Sequence, residues 1–364
     1  MNVPFHDLKK QHGLLKNEID QAISQVCNET AFSGGHYVEL FEADFAKHYS
    51  FTAVAGVNSG TSALHLALLA LNIKAGDEVI VPTSTFIATA WAAAYVNATP
   101  VFVDCLENTW QIDVNDVKSK LTPKTKAIIG VHLYGQPFDL EPLQQLAKEH
   151  NIPLIEDCAQ AHGARYKEKY VGGFGEMGCF SFYPGKNLGA YGEGGAVVSN
   201  KANYIERIKK LRSHGSSERY HHDEIGFNMR LDGIQAAILS VKLKYIDSWN
   251  RRRQEIAKQY QAGIKNSQVK LQNQPEWAES VYHLFVVTTE DRSAFIEDLK
   301  KAGVATALHY PIPCHLQKAF AHLGYQKGSF PKAEYLAQHC VSLPMYPELT
   351  DEEVSWVIET INKY

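Results

Sequence analysis

Between residues 52 and 200 short, almost wholly apolar runs alternate with helical ones, and no other feature restricts the fold as strongly. "TAVAGV" (52–57) precedes "SALHLALLAL" (62–71), and "EVIVP" (78–82) precedes "IATAWAAAYV" (87–96). "PVFVD" (100–104) follows, and "KAIIGVHL" (126–133) precedes "LEPLQQLAKEH" (140–150). "IPLIED" (152–157), "GCFSF" (178–182) and "GAVVSN" (195–200) complete the series. A strand with one wet face alternates apolar and polar side chains, whereas a strand apolar at nearly every position is buried on both faces. Interleaved with helices, such strands predict an α/β fold with a mostly parallel seven-stranded sheet. Helices over 14–26 and 37–48 lead into it.

From 231 to about 264 one long helical pattern follows, and then the character changes. "VYHLFVVTT" (281–289), a helix at 292–302, a strand at 304–308 and a terminal helix after Thr350 predict a smaller α+β unit. The expected division is a large domain over 1–250, including the N-terminal helical segment, and a small C-terminal domain over 251–364. A chain of 364 residues is ample for two cores.

The 36 basic and 40 acidic side chains form no basic stripe, which argues against nucleic acid as a partner. The one dense cluster, "NRRRQE" (250–255), falls on the helical pattern and reads as a solvated face. No apolar run reaches the roughly 18 residues of a membrane span, and "MNVPFHDLKKQHG" has no apolar secretory core. The six cysteines include no C-x-x-C pair, and the histidines, His221 and His222 among them, show no ligand spacing. Buried free thiols, no metal site and a cytoplasmic protein are therefore expected.

Ligands of parallel sheets collect at the carboxyl ends of the strands, and three of those ends are distinctive. "VNSGTSAL" puts Ser59, Gly60, Thr61 and Ser62 between a strand and a helix, where free backbone N–H groups bind anions. Ser and Thr there are also ordinary helix caps, and no Gly-Lys-Ser/Thr follows to make a Walker loop. "PLIEDCAQAHGA" ends a strand with Glu156 and Asp157; side chains alternate, so one of the two faces a given site. In "FSFYPGKNLGAYGEGGAVVSN" (180–200) the single lysine is Lys186, in a glycine-rich turn. An exposed hairpin lysine is the commonplace reading, but a lysine in a dry site is a nucleophilic amine toward a carbonyl. Cup, carboxylate and amine together match pyridoxal 5′-phosphate, which has a phosphate, a ring nitrogen and an aldehyde. Asp157 would keep the ring nitrogen protonated, since an opposite charge at about 4–6 Å moves a pKa by roughly 1–3 units. Lys186 would form the Schiff base.

The chain resembles the DegT/DnrJ/EryC1/StrS sugar aminotransferases, of the aspartate-aminotransferase fold (fold type I), over essentially its whole length. "NSGTSALHLAL", "VPTSTFIATA", "IEDCAQAHGA", "FSFYPGKNLGAYGEGGAVV", "GFNMRLDGIQAAIL" and "HYPIPCHLQ" carry the likeness. The resemblance implies that Gly60, Thr61 and Ser181 hold the phosphate, that Phe86 stacks on the ring and that Gln160 approaches its hydroxyl. It implies a homodimer with shared sites, Asn228 reaching the neighbouring subunit's phosphate. Tyr183, Arg219, His309 and Tyr310 become candidates for the sugar nucleotide. By themselves, Phe86 suits a core, Gln160 a helix cap, Asn228 a loop turn and His309 a structural role.

Relatives that replace the lysine by histidine perform dehydration, so Lys186 favours transamination. The likeness is nearest to enzymes that aminate C3 of a dTDP-linked 3-keto-6-deoxyhexose, with glutamate the family's usual donor. Amination at C4 and UDP- or GDP-linked substrates stay open. So does a regulatory protein that binds the cofactor without turnover. A desulfurase or aldolase of the same fold is a further alternative, though a desulfurase needs a mobile catalytic cysteine that the sequence does not show.

Overall fold

The computed structural model describes residues 1–218 and 220–364. The seven strands lie in the order Ala53–Val57, Gly195–Ser199, Met177–Ser181, Leu154–Asp157, Thr125–Val131, Glu78–Pro82, Thr99–Val103. Gly195–Ser199 runs antiparallel to both neighbours and the other pairings are parallel. Alternate residues of one strand enter opposite cores. Ile80 and Ile128 pack with the helices His36–Tyr49 and Leu140–Glu149. Val79, Val81, Ala127 and Ile129 pack with Gly60–Ala70 and Ala88–Tyr95 on the other side. Each such Val or Ile, removed from water, contributes about 1.5–3 kcal/mol, so the near-continuous apolar runs require covering on both faces.

The pattern over 231–264 is two helices, Gly233–Leu243 and Ile246–Gly263. The first is buried almost all round, whereas the second packs one stripe and exposes the rest. Trp249 joins the large core, while Ile256, Ala257 and Tyr260 join the core around the Phe285–Thr288 and Cys340–Leu343 strands. On that ground we propose a domain boundary near residue 250. Val3 also packs in the small core.

Three expectations need correction. Residues 304–308 form no strand: Val304 bridges to Val3 and Ala307 to Ser342, and the strands paired with Phe285–Thr288 are Cys340–Leu343 and the short Lys270–Leu271. The "NRRRQE" cluster is not wholly solvated. Arg253 is 2% exposed, and its Nη1 donates to the carbonyl oxygens of Tyr282 and Met345, which offsets part of its lost hydration. Cys27 is exposed near the end of the helix Leu8–Asn28, while the other five free thiols are buried. Among the described residues no helix is long and apolar enough to cross a membrane.

Candidate active site

The alternation of side chains sends Asp157 and Glu156 opposite ways. Asp157 accepts a hydrogen bond from the Thr89 hydroxyl at 2.8 Å and from the Ala159 amide at 3.1 Å. Burial raises its pKa, opposed by those two donors and by the charges of Lys186 and His132. Glu156 is fully buried behind it. Its Oε1 accepts from the Phe174 and Gly175 amides, each at 2.7 Å, and its Oε2 from the Gly172 amide at 2.7 Å, with His132 Nε2 at 3.0 Å. Donor atoms of His132, Glu156 and Cys158 cluster within 4.8 Å, but three backbone N–H groups and the imidazole already engage both carboxylate oxygens. Glu156 anchors the 172–175 loop to the sheet. Glu156→Gln turns an N–H toward one of those donors, and should cost about 2–4 kcal/mol. Urea unfolding at pH 7 measures this; an unchanged midpoint would refute the anchoring role.

Lys186 sits in the turn after the Met177–Ser181 strand, its amide donating to the Tyr183 carbonyl at 2.8 Å. Its ammonium makes no hydrogen bond to a described residue, and burial lowers its pKa to about 8 against the pull of Asp157. At neutral pH roughly a tenth of such an amine is unprotonated, far more than for an ordinary lysine. Burial and the lysine charge hold His162 near 3 and His309 near 4, and depress His283 as well, so the surrounding imidazoles are neutral.

The anion cup lies at the start of the helix Gly60–Ala70. Ser59 caps it, its Oγ accepting from the Ser62 amide at 3.0 Å, which leaves the Gly60 and Thr61 amides without a described acceptor. A Cβ on Gly60 would lie 2.6 Å from Ser181 Cβ, and one on Gly195 would lie 2.4 Å from the Ser59 carbonyl carbon. Only glycine allows Ser181 and the returning strand so close to the cup. Two free amides, a hydroxyl and the helix dipole fit a phosphate dianion.

The rim is built by long-range ties. Gln160 accepts from the Tyr134 amide and donates to the Tyr310 hydroxyl at 3.0 Å, while the Tyr134 hydroxyl donates to the His309 carbonyl. Phe86 is 50% exposed, with its ring 5.6 Å from Tyr310. The segment after Tyr310 is fixed by the Cys314 amide donating to the Thr83 carbonyl. His309 also contacts Ser342 at 2.8 Å. Tyr183 is exposed at the start of the lysine turn. Asn228 is exposed on the segment that lies along Val57 and Asn58, its side chain bonded to no described residue. Arg219 lies outside the described residues. The structure thus gathers Gly60, Thr61 and Ser181 at the cup. It gathers Asp157 and Lys186 at the floor, with Gln160, Tyr310, Phe86 and His309 at the rim. Thr89 and Tyr134 escaped the sequence reading, although the hydroxyl-rich "VPTSTFIATA" holds the first.

Residues 14–362 match the profile of the DegT/DnrJ/EryC1/StrS aminotransferase family. The chain belongs to that family. Erythromycin biosynthesis sensory transduction protein EryC1 of Saccharopolyspora erythraea is 46% identical over 99% of each chain. The dTDP-3-amino-3,6-dideoxy-alpha-D-galactopyranose transaminase of Aneurinibacillus thermoaerophilus is 45% identical, over 100% of this chain and 99% of that one. S. venezuelae DesV, solved with a ketimine intermediate, superposes with a TM-score of 0.98 at 42% identity, covering 100% of this chain and 98% of that one. The fold is therefore that of the family's aminotransferases. Members have been solved with pyridoxal phosphate or its amine form bound, and this family's cofactor suits the cup, carboxylate and free amine found here.

Proposed function

We propose that the protein aminates C3 of a dTDP-linked 3-keto-6-deoxyhexose, with an amino acid such as glutamate as donor. The product serves a surface polysaccharide or another glycoconjugate, and the work is done in the cytoplasm by a homodimer. The observation that carries the reading is Lys186, half-buried, its amine desolvated, without a hydrogen-bond partner among the described residues and of lowered pKa, opposite Asp157.

When bound, pyridoxal phosphate supplies an electron sink for bonds at the substrate carbon. The Gly60 and Thr61 amides and the Ser181 hydroxyl hold its phosphate. Asp157 keeps the ring nitrogen protonated, and Thr89 orients that carboxylate. Lys186 Nζ would hold the cofactor and would carry the proton at the donor's α-carbon and the sugar's C3. Phe86 covers the ring, and Gln160 and Tyr310 bound the space beside it. Tyr183, Arg219, His309 and Tyr310 receive the sugar nucleotide, and Asn228 serves the neighbouring subunit's phosphate.

Purified protein should be assayed against 3-keto and 4-keto sugars carrying dTDP, UDP and GDP, with products identified by NMR. Amination confined to C4 would overturn the regiochemistry. A protein that binds cofactor but turns over none would instead favour a regulatory role, the reading suggested by the sensory name of the EryC1 relative. The shared site has its own test. Inactive Lys186→Ala and Asn228→Asp proteins, mixed and confirmed as heterodimers by mass spectrometry, should recover up to about a quarter of wild-type activity at equal mixing. One site of each heterodimer then collects both defects and the other neither. No recovery would mean that Asn228 serves its own chain or no site.

A further inference from the structure

One carboxamide outside the cofactor-contacting set joins the two turns that bear the chemistry. Asn250, on the helix Ile246–Gly263, is 6% exposed. Its Oδ1 accepts from Asn187 Nδ2 at 2.9 Å, and its Nδ2 donates to the His162 carbonyl at 2.7 Å. Asn187 directly follows Lys186, and His162 lies in the turn that begins with Asp157 and includes Gln160. Asn187 is itself 3% exposed, donates to the Val281 carbonyl at 3.0 Å and stands 3.2 Å from His283 Nδ1. The fit around Asn250 is tight: a Cβ on Gly163, whose φ is +85°, would lie 2.8 Å from Asn250 Nδ2.

We propose that Asn250 is a positioning residue, its carboxamide fixing the Lys186 turn against the turn that bears Asp157 and Gln160. The two turns are separated along the chain, since one follows the Leu154–Asp157 strand and the other follows Met177–Ser181. Asparagine suits the task because it offers a donor and an acceptor at once. Alanine would leave the Asn187 amide short of one acceptor and the His162 carbonyl without its donor. The lysine turn would then loosen and admit water, relaxing the desolvation that depresses the Lys186 amine.

The inference rests on Lys186 being the reactive amine, and its test separates the two. In full-length protein stripped of cofactor, the pH dependence of reductive methylation is followed on the Lys186 peptide by mass spectrometry. Asn250→Ala should raise the labelling midpoint by at least about half a pH unit, an approximately threefold lower rate at pH 7.5. Asn187→Ala, which cuts the same tie from the other side, should shift it in the same direction. Val287→Ala, at a fully buried position of the small-domain core, supplies a comparison that loses stability through a cavity, and its midpoint should stay at the wild-type value. In the loaded enzyme Asn250→Ala should lower kcat at least tenfold with the sugar KM within twofold. An unmoved Lys186 midpoint in both Asn variants, or an equal shift in Val287→Ala, would overturn the positioning role. A wild-type protein that attaches cofactor through another lysine would overturn the functional reading instead, while the labelling comparison would still judge Asn250.

Discussion

Lys186→Ala protein should fold, bind pyridoxal phosphate without a covalent link, and lose turnover by more than about 10⁴-fold. Two roles vanish with one side chain: the amine that attaches the cofactor and the base that moves the proton, the latter alone worth typically 10²–10⁴-fold. Stability should not suffer, because a desolvated amine of lowered pKa with no hydrogen-bond partner among the described residues costs the fold free energy. Borohydride treatment of wild type followed by peptide mapping should place the cofactor on the peptide containing Lys186. Label on any other lysine would refute the assignment, whatever the variant's activity.

Asp157→Asn should lower kcat by about 10²–10³-fold, the order expected when a ring nitrogen loses a charge partner that shifts its pKa by roughly 1–3 units. Shape is kept: the amide oxygen can accept from the Ala159 N–H, and the Thr89 hydroxyl, which can also accept, can take the new N–H while donating to Thr85. The stability effect has a definite sign. Burial holds the Asp157 pKa above that of an unfolded carboxyl, so the cofactor-free fold loses stability as pH rises through that range. The uncharged Asn variant should therefore be at least as stable as wild type at pH 7. Glu156→Gln should do the reverse, losing stability through its loop. If Glu156→Gln destroyed catalysis in folded protein and Asp157→Asn were mild, the facing of the strand would be wrong.

The sheet was legible because its strands are apolar at successive positions, a pattern with one physical solution. Glu78–Pro82 is bounded in the structure as in the sequence reading. Which of Glu156 and Asp157 turns toward Lys186 is not contained in alternation alone. It is fixed by the 172–175 loop, whose amides claim Glu156. The break at Lys244 and Tyr245 carries no Gly or Pro, and helical periodicity runs through it, so only packing reveals it. The Cys340–Leu343 strand is short and is followed by Pro344, and a run of that length does not distinguish strand from loop. Lys186 stood out as a solitary cation among glycines. Thr89 and Asn250 did not, because their partners lie on other elements and small polar residues on helices have no spacing that names a partner.

The reversed strand Gly195–Ser199 has a consequence for how the protein matures. Ser181 and Gly195 meet early in the chain's own terms, as neighbours in a local hairpin. The other wall of the cup, Ser59 and Gly60, arrives only when Val57 pairs with Gly195 from the far side of the domain's sequence. Loop closure of that kind carries an entropic cost before its contacts are gained. A phosphate held in the finished cup would bind the closed chain and not the open one, and so would act as a molecular clasp. Each tenfold rise in free cofactor above its dissociation constant would then add about 1.4 kcal/mol to the folded state, so the closed cup would be held shut by the molecule it receives.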